Sequence, residues 1–470
     1  ASRAPSHRPL TSSRTGHSPT FHATAADALA AIDWRSLLSS HNRPARTDGI
    51  LAHAFLHTGA AAPHSAIAAL ADPSTCHAIR HATRTPPSPD PCLRLVHLHT
   101  EGALPTASAA HCSTAALFVG ANARAAVNSH AERGSHLPFL LSQIPHAFDN
   151  GDIPVDVACI QVSPPDAHGY CSLGVSVDVS VAAVTAAPVV VAQINRHMPR
   201  THGSGLVHVN ALDFVYEEDR PLPAHEPTPR SQVQDEIGRL IAEHLVRDGA
   251  CLQMGIGAIP DAVLANLGGH RDLGIHTEMF SSGLLPLVQS GVVNNVRKGF
   301  APNHVVSSFL VGSQELYDFV DDNPLVQMLP SDITNDPRII RTNRRMTAIN
   351  SAIEVDLTGQ VCAESLGHRQ HSGVGGQMDF MRGAQVAKEG CAIIALPSTV
   401  SSTGASRIVS ALQPGAAVTT TRAHVQFVVT EWGIAELRGR TLGERARALI
   451  DIAHPDHRAR LTDELRALPL

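Results

Sequence analysis

Three short segments contain the residue types from which covalent chemistry could be built. The first is His276-Thr277-Glu278-Met279-Phe280, followed by Ser281-Ser282-Gly283. A carboxylate near the end of a predicted strand, in apolar company, is either a satisfied surface acid or a functional group. The same tripeptide recurs as His99-Thr100-Glu101, so residue type alone does not separate Glu278 from Glu101. The second segment, Gly255-Ile256-Gly257, lies between an apolar run and a predicted helix. Such a turn exposes backbone N–H groups beside a positive helix end, which suits a phosphate or a developing oxyanion. Pro260 breaks the dinucleotide-binding spacing of glycines. The third is Ser372-Gly373-Val374-Gly375-Gly376-Gln377-Met378-Asp379-Phe380, whose glycines permit close backbone approach or positive φ.

The elements that must position these groups read as α/β, twice over. His57-Thr58-Gly59-Ala60-Ala61-Ala62-Pro63 leads into an apolar helix ending near Leu70, and Met254-Gly255-Ile256-Gly257-Ala258-Ile259-Pro260 into one ending near Leu267. In both, proline sits near the helix start, where its missing N–H costs little. The shared order of turn, proline and helix predicts a duplicated domain. Val155–Val162, Val189–Ile194, Ala392–Leu396 and Phe427–Thr430 read as strands, and Leu442–Ile450 as a helix. The apolar stretch 179–194 reads as one buried strand with flanks. Alternation of this kind predicts parallel or mixed sheets covered by helices. Prolines at 221, 223, 227 and 229 make 217–230 a linker. Ser231 and Gln234 then have capping-box spacing ahead of a helical face of Val233, Ile237, Leu240, Ile241 and Leu245. The expected domains are 27–216 and 231–470, preceded by a disordered or targeting segment over 1–26.

Composition narrows the function classes. A length of 470 residues favours two cores over one. The formal net charge of −6 argues against nucleic acid as a partner, and no apolar run approaches a membrane span. Eight cysteines without a C-x-x-C pair fit reduced thiols. The 29 histidines accompany only two lysines, Lys298 and Lys388. That bias reads as genome composition, and no metal site is expected. Residues 1–26 carry Arg3, Arg8 and Arg14, many serines and no acid, the composition of an organelle-import peptide. A mitochondrial location is the expectation, with the cytoplasm as alternative.

Taken together, Gly255 to Pro260, His276 to Gly283, Gly373 to Phe380 and Thr430-Glu431-Trp432-Gly433-Ile434-Ala435-Glu436-Leu437-Arg438-Gly439 resemble the acetyl-CoA hydrolase/transferase family. Ile160 to Tyr170 and Met198 to Gly203 resemble its first domain. The likeness runs from about residue 40 to the C-terminus and implies two tandem, similar α/β domains of the class I CoA-transferase type. By motif, the resemblance makes Glu278 the nucleophile and places Ile256 and Gly376 as oxyanion donors. It implies coenzyme A contacts at Gly255, Ile256, Gly257, Ala258, Ile259, Ile353 and Gly376, and at Asn335 a contact with CoA or with the acyl group. Two departures stand out. Ser401 occupies the place of a CoA-contacting lysine in some acetate-specific relatives, and Asn195-Arg196-His197 stands where Asn-Pro-Asn is common.

The expected activity is transfer of CoA between short-chain carboxylic acids of the acetyl-CoA class, in acetate metabolism, through a glutamyl-CoA thioester. The alternative is acetyl-CoA hydrolysis by the same covalent path. Acyl-CoA acts as substrate, with no permanently bound cofactor, and a homodimer is expected. A non-catalytic CoA-binding protein and a His-rich metal binder are competing classes. Retention of Glu278 with both glycine turns speaks against the first.

Overall fold

The computed structural model describes residues 18–39, 49–105, 109–129, 133–225, 229–255 and 257–467. Most of the arginine- and serine-rich N-terminal stretch, and Ile256, lie outside them. The chain divides into two compact units. The first comprises 1–139, 143–224 and 308–332; the second comprises 140–142, 225–307 and 333–470.

The first unit is built on an eight-stranded sheet. Its order is Thr20–His22, Phe214–Glu217, Val189–Ile194, Val157–Val162, Ala52–Leu56, Leu93–His97, Cys112–Ala116 and Gly134–His136. Every neighbouring pair is parallel. The central strands are buried along their whole length, as near-continuous apolar runs in covered parallel sheets should be. Helices Ala25–Ala30, His64–Leu70 and Pro73–Thr83 contribute Ala28, Leu29, Ala66, Ile67, Leu70 and Ile79 to its core.

The second unit carries a six-stranded sheet, ordered Gly274–Ile275, Cys251–Met254, Met346–Ser351, Cys391–Ala395, Phe427–Thr430 and Gly433–Glu436. Its first five strands are parallel, and the last is antiparallel. Helices Gln377–Val386 and Leu442–Asp451 bury Phe380, Met381, Ala384, Ala446 and Leu449 in one core with the strands. Helix Gln232–His244 opens on the expected capping box of Ser231 and Gln234. Its buried stripe is Ile237, Gly238, Ile241 and Ala242, whereas Val233, expected on that face, is exposed.

The suspected copies have the same local architecture. Strand Ala52–Leu56 runs through Gly59 into helix His64–Leu70; strand Cys251–Met254 runs through Gly257 into helix Ala258–Ala265. Each strand is flanked by two parallel neighbours within its own sheet. The fold class is α/β with predominantly parallel sheets.

Two sequence expectations need correction. The stretch 179–194 is not one strand: Ser180–Ala186 is a helix, and only Val189–Ile194 is strand. Ala182, Ala183 and Val184 are buried on this helix, and Pro188 separates the two elements. Segment 308–332 belongs with the first unit although it falls within the expected second domain. Its backbone bonds explain this, since Leu310 N donates to Val175 O and Val177 N to Ser308 O, and Val326–Met328 pairs with His202–Gly203. No described helix is long and apolar enough to cross a membrane.

Candidate active site

The carboxyl ends of adjacent parallel strands are where open α/β sheets bind ligands. Three neighbouring strands of the second sheet deliver expected site residues at that edge. Gly255 follows Cys251–Met254, Glu278 lies three residues beyond Gly274–Ile275, and Ile353 lies two beyond Met346–Ser351.

The backbone at Glu278 is held from several sides. His276 N donates to Leu252 O and Thr277 N to Val306 O, both at 3.0 Å. Thr277 Oγ1 lies 3.1 Å from the carbonyls of Met254 and Met279, stapling the Glu278 segment to the neighbouring strand. Ser307 Oγ donates to Glu278 O at 3.0 Å. This bracing fixes where the carboxylate stands.

The carboxylate meets a buried amide. Asn335 Nδ2 donates to Glu278 Oε2 at 2.9 Å. Part of residue Glu278 remains exposed, yet enough protein surrounds the carboxyl that burial raises its pKa above the usual value, with the Asn335 bond opposing the shift. Gly376 closes the other side. A Cβ placed on it would overlap Glu278 Oε2 and Asn335 Nδ2, so only glycine admits this approach. Gly376 is the N-cap of helix Gln377–Val386, which places helix-end N–H groups beside the carboxylate.

Two further ties maintain this arrangement, and both concern residues whose roles the sequence reading did not assign. His276 Nε2 donates to Thr334 O at 2.8 Å, binding the Glu278 strand to the backbone next to Asn335. Burial, with a contribution from the Lys298 charge, lowers the His276 pKa to about 3, so the ring is neutral. Asp379, in the first turn after Gly376, is also buried. It accepts bonds from Ser142 Oγ at 2.8 Å and Ser142 N at 3.1 Å.

The remaining expected residues are placed as follows. Gly257 has φ of 110° and caps helix Ala258–Ala265, whose first turn holds Ala258 and Ile259. No atom would obstruct a Cβ within 4 Å at Gly255 or Gly257, so their turn is open. Ile256, between them, lies outside the described residues. The N–H of Ile353 is already committed to Cys362 O at 2.8 Å. On the same sheet edge, Ser398 N and Oγ bond the Glu431 carboxylate at 2.9 and 2.5 Å.

The expectation that no H-x-x-x-H spacing occurs is wrong, since His53/His57 and His77/His81 both have it. Among the described residues, no group of three or more His, Cys, Asp or Glu side chains could hold a metal ion.

The parallel α/β sheet thus presents a braced glutamate, an amide and a glycine loop together at one edge. Residues 104–225 match the acetyl-CoA hydrolase/transferase N-terminal domain, and residues 312–465 its C-terminal domain. The chain is 45% identical over 425 residues to a succinyl-CoA:acetate/propanoyl-CoA:succinate CoA transferase of Fasciola hepatica, covering 89% of this chain and 86% of the relative. It is 50% identical over 351 residues to a 4-hydroxybutyrate coenzyme A transferase of Clostridium kluyveri, covering 75% and 81%. The crystal structure of a 4-hydroxybutyrate CoA-transferase from Porphyromonas gingivalis superposes with a TM-score of 0.74 at 36% identity, covering 95% of this chain and 97% of that one. The chain belongs to the acetyl-CoA hydrolase/transferase family. It is an enzyme of the CoA-transferase or acetyl-CoA hydrolase kind.

Proposed function

We propose that the protein moves CoA between short-chain carboxylic acids through a thioester on Glu278. The observation that carries this reading is the Glu278 carboxylate held by Asn335 Nδ2 at 2.9 Å, with Gly376 pressed against both. A carboxylate so braced is fixed for attack on a thioester carbonyl. Burial raises its basicity, and the Asn335 bond opposes that shift.

Attack forms a mixed anhydride and expels CoA as thiolate. The thiolate then attacks the glutamyl carbonyl, leaving glutamyl-CoA thioester and a free carboxylate. An incoming acid reverses these steps. Each tetrahedral species carries an oxyanion, for which Gly376 and Ile256 supply backbone N–H groups. The turn Gly255–Ile259 and residues Asn335 and Ile353 contact CoA, which enters as substrate. Hydrolysis follows the same path when water intercepts an acyl intermediate, so water exclusion decides between the two outcomes. The relatives named as CoA transferases favour transfer.

Incubation with acetyl-CoA, followed by borohydride, tests the covalent step. The thioester should be reduced to an alcohol on the peptide containing Glu278, and enzyme activity should be lost irreversibly. The His-Thr-Glu copy provides an internal control, since the peptide containing Glu101 should be unmodified. Label on Glu101, or none anywhere, would overturn the proposal.

A further inference from the structure

The chain holds 36 lysines and arginines, and only Lys298 and Lys388 are lysines. Lys388 is exposed, whereas Lys298 is 6% exposed. Lysine is almost never buried without a partner. Among the described residues no carboxylate pairs with Lys298. Its Nζ instead donates to two backbone carbonyls, Ile275 O and His304 O, each at 2.6 Å. Ile275 ends the strand that leads into Glu278, and His304 immediately precedes strand Val305–Ser307. The second strand braces the first: Thr277 N donates to Val306 O at 3.0 Å, and Ser307 Oγ to Glu278 O at 3.0 Å. One ammonium therefore joins the two segments that hold the nucleophile.

The surroundings are shaped for that side chain. A Cβ on Gly274 would stand 2.6 Å from Lys298 Cγ, so the glycine leaves room for the stem. The loop 294–304 wraps the same strand end. Asn295 N donates to Leu273 O at 3.0 Å, and Asn295 Oδ1 accepts from Ile275 N at 2.9 Å. Phe300, from that loop, lies edge-on to the His276 ring. A compact ammonium on an unbranched stem reaches both carbonyls here.

We propose that Lys298 is a positioning residue for the reaction at Glu278, its buried ammonium fixing the strand end that carries the carboxylate to the strand that braces it. The inference rests on the thioester reading above. Lys298 touches no reacting atom and acts through the backbone at Ile275 and His304. Charge-assisted hydrogen bonds are about twice as strong as neutral ones, so the tie depends on the charged form. Without it the two segments shift, and about 1 Å of misplacement can cost 10²-fold in rate. Burial lowers the Lys298 pKa to about 8, so the ammonium is lost as pH rises through that value. Two titratable groups act on it or feel its charge, and neither changes charge there. Cys251, on the neighbouring strand, is pushed up by burial to about 11; His276 is lowered to about 3 by burial and the Lys298 charge. His304 turns its ring to Pro302 O.

The test follows thioester formation from acetyl-CoA, without acceptor, by rapid quench and mass in the full-length native enzyme, Lys298→Met and Lys388→Met. Methionine keeps an unbranched stem beside Gly274 and removes the charge and the donors. Lys298→Met should form thioester about 10²-fold more slowly per competent site, with little change in the acetyl-CoA concentration for half-maximal rate. Lys388→Met should match native enzyme. A merely structural role would lower the final amount of thioester and leave the rate constant unchanged. As pH rises, the native rate constant should fall through about 8, and Lys298→Met should lack that fall. Lys298→Arg, charged throughout that range, should lack it too and serves where Lys298→Met does not fold. A native rate in folded Lys298→Met, a native rate constant that stays flat through about 8, or a fall that persists in either variant would overturn this inference alone. Absence of any thioester in native enzyme would overturn the proposed function, and this inference with it.

Discussion

The two His-Thr-Glu tripeptides occupy equivalent places in the two units, and their surroundings differ in a way that assigns chemistry to one. Each follows a strand paired in parallel to the strand of the turn-proline-helix copy: Leu93–His97 beside Ala52–Leu56, and Gly274–Ile275 beside Cys251–Met254. Each histidine is edge-on to two phenylalanines, His99 to Phe118 and Phe309, and His276 to Phe300 and Phe380. Beyond that the copies diverge. His99 Nε2 stands 3.8 Å from Glu101 Oε1 within its own tripeptide. His276 instead reaches Thr334 O, and Asn335 then reaches Glu278. In the second unit the Asn335 amide reaches the glutamate side chain itself, whereas in the first the Asn122 amide donates to the backbone carbonyls of Thr100 and Gly102. A glutamate at a strand end becomes a candidate nucleophile through what is brought to it.

The largest expected effect breaks the comparison outright. Glu278→Ala should reduce kcat by at least about 10⁴-fold, as loss of a covalent nucleophile does. Glu278→Asp withdraws the carboxylate by a methylene, and about 1 Å of misplacement can cost 10²-fold. Steady-state turnover of both variants checks this. A Glu278→Ala enzyme that turns over normally would remove any reason to distinguish the two copies.

Next comes the loop. Gly376→Val should lower kcat by at least about 10²-fold with a smaller change in KM, because the added atoms overlap Glu278 and Asn335. Near-normal kcat in the folded variant would make the glycine loop a structural detail. Asn335→Ala is milder, and its signature is a pH dependence. The Asn335 bond lowers the Glu278 pKa, so its removal lets burial raise that pKa further. Activity requires the carboxylate. The ascending limb of kcat/KM should therefore move to higher pH, with kcat on the plateau reduced about tenfold. An unmoved limb would mean that the amide does not tune the nucleophile.

How much of this was legible depended on sequence distance. Strands Val189–Ile194 and Phe427–Thr430, and the Ser231 capping box, were readable because their signals are local. Glu278 and Gly376 were readable through motifs. Asp379 lies within the glycine-loop motif, but its partner Ser142 lies 237 residues away, so nothing local connects them. The same holds for segment 308–332, whose backbone bonds to 175–178 are set by pairing across the fold. The helix within 179–194 was missed because a short apolar run has no periodicity that separates strand from buried helix. Ile353 was placed by motif, and only the structure reveals that its N–H is already bonded to Cys362 O.

The smallest expected effect concerns stability, and it sharpens the contrast by asking whether the second copy carries a cost of burial. Burial pushes the Asp379 carboxyl up to about 7, against about 3.9 for an unperturbed aspartate. Between those values the folded state binds more protons than the unfolded state. By linkage, this group's contribution to stability is full below about pH 4 and is lost as pH rises through about 7. Asp379→Asn has no such titration. Its Tm relative to native enzyme should rise between pH 5 and 8 by about 3 °C or more, then level off. Thermal unfolding of both proteins across that range, without substrate, measures the difference directly. A Tm difference independent of pH would mean that Asp379 is ionised throughout.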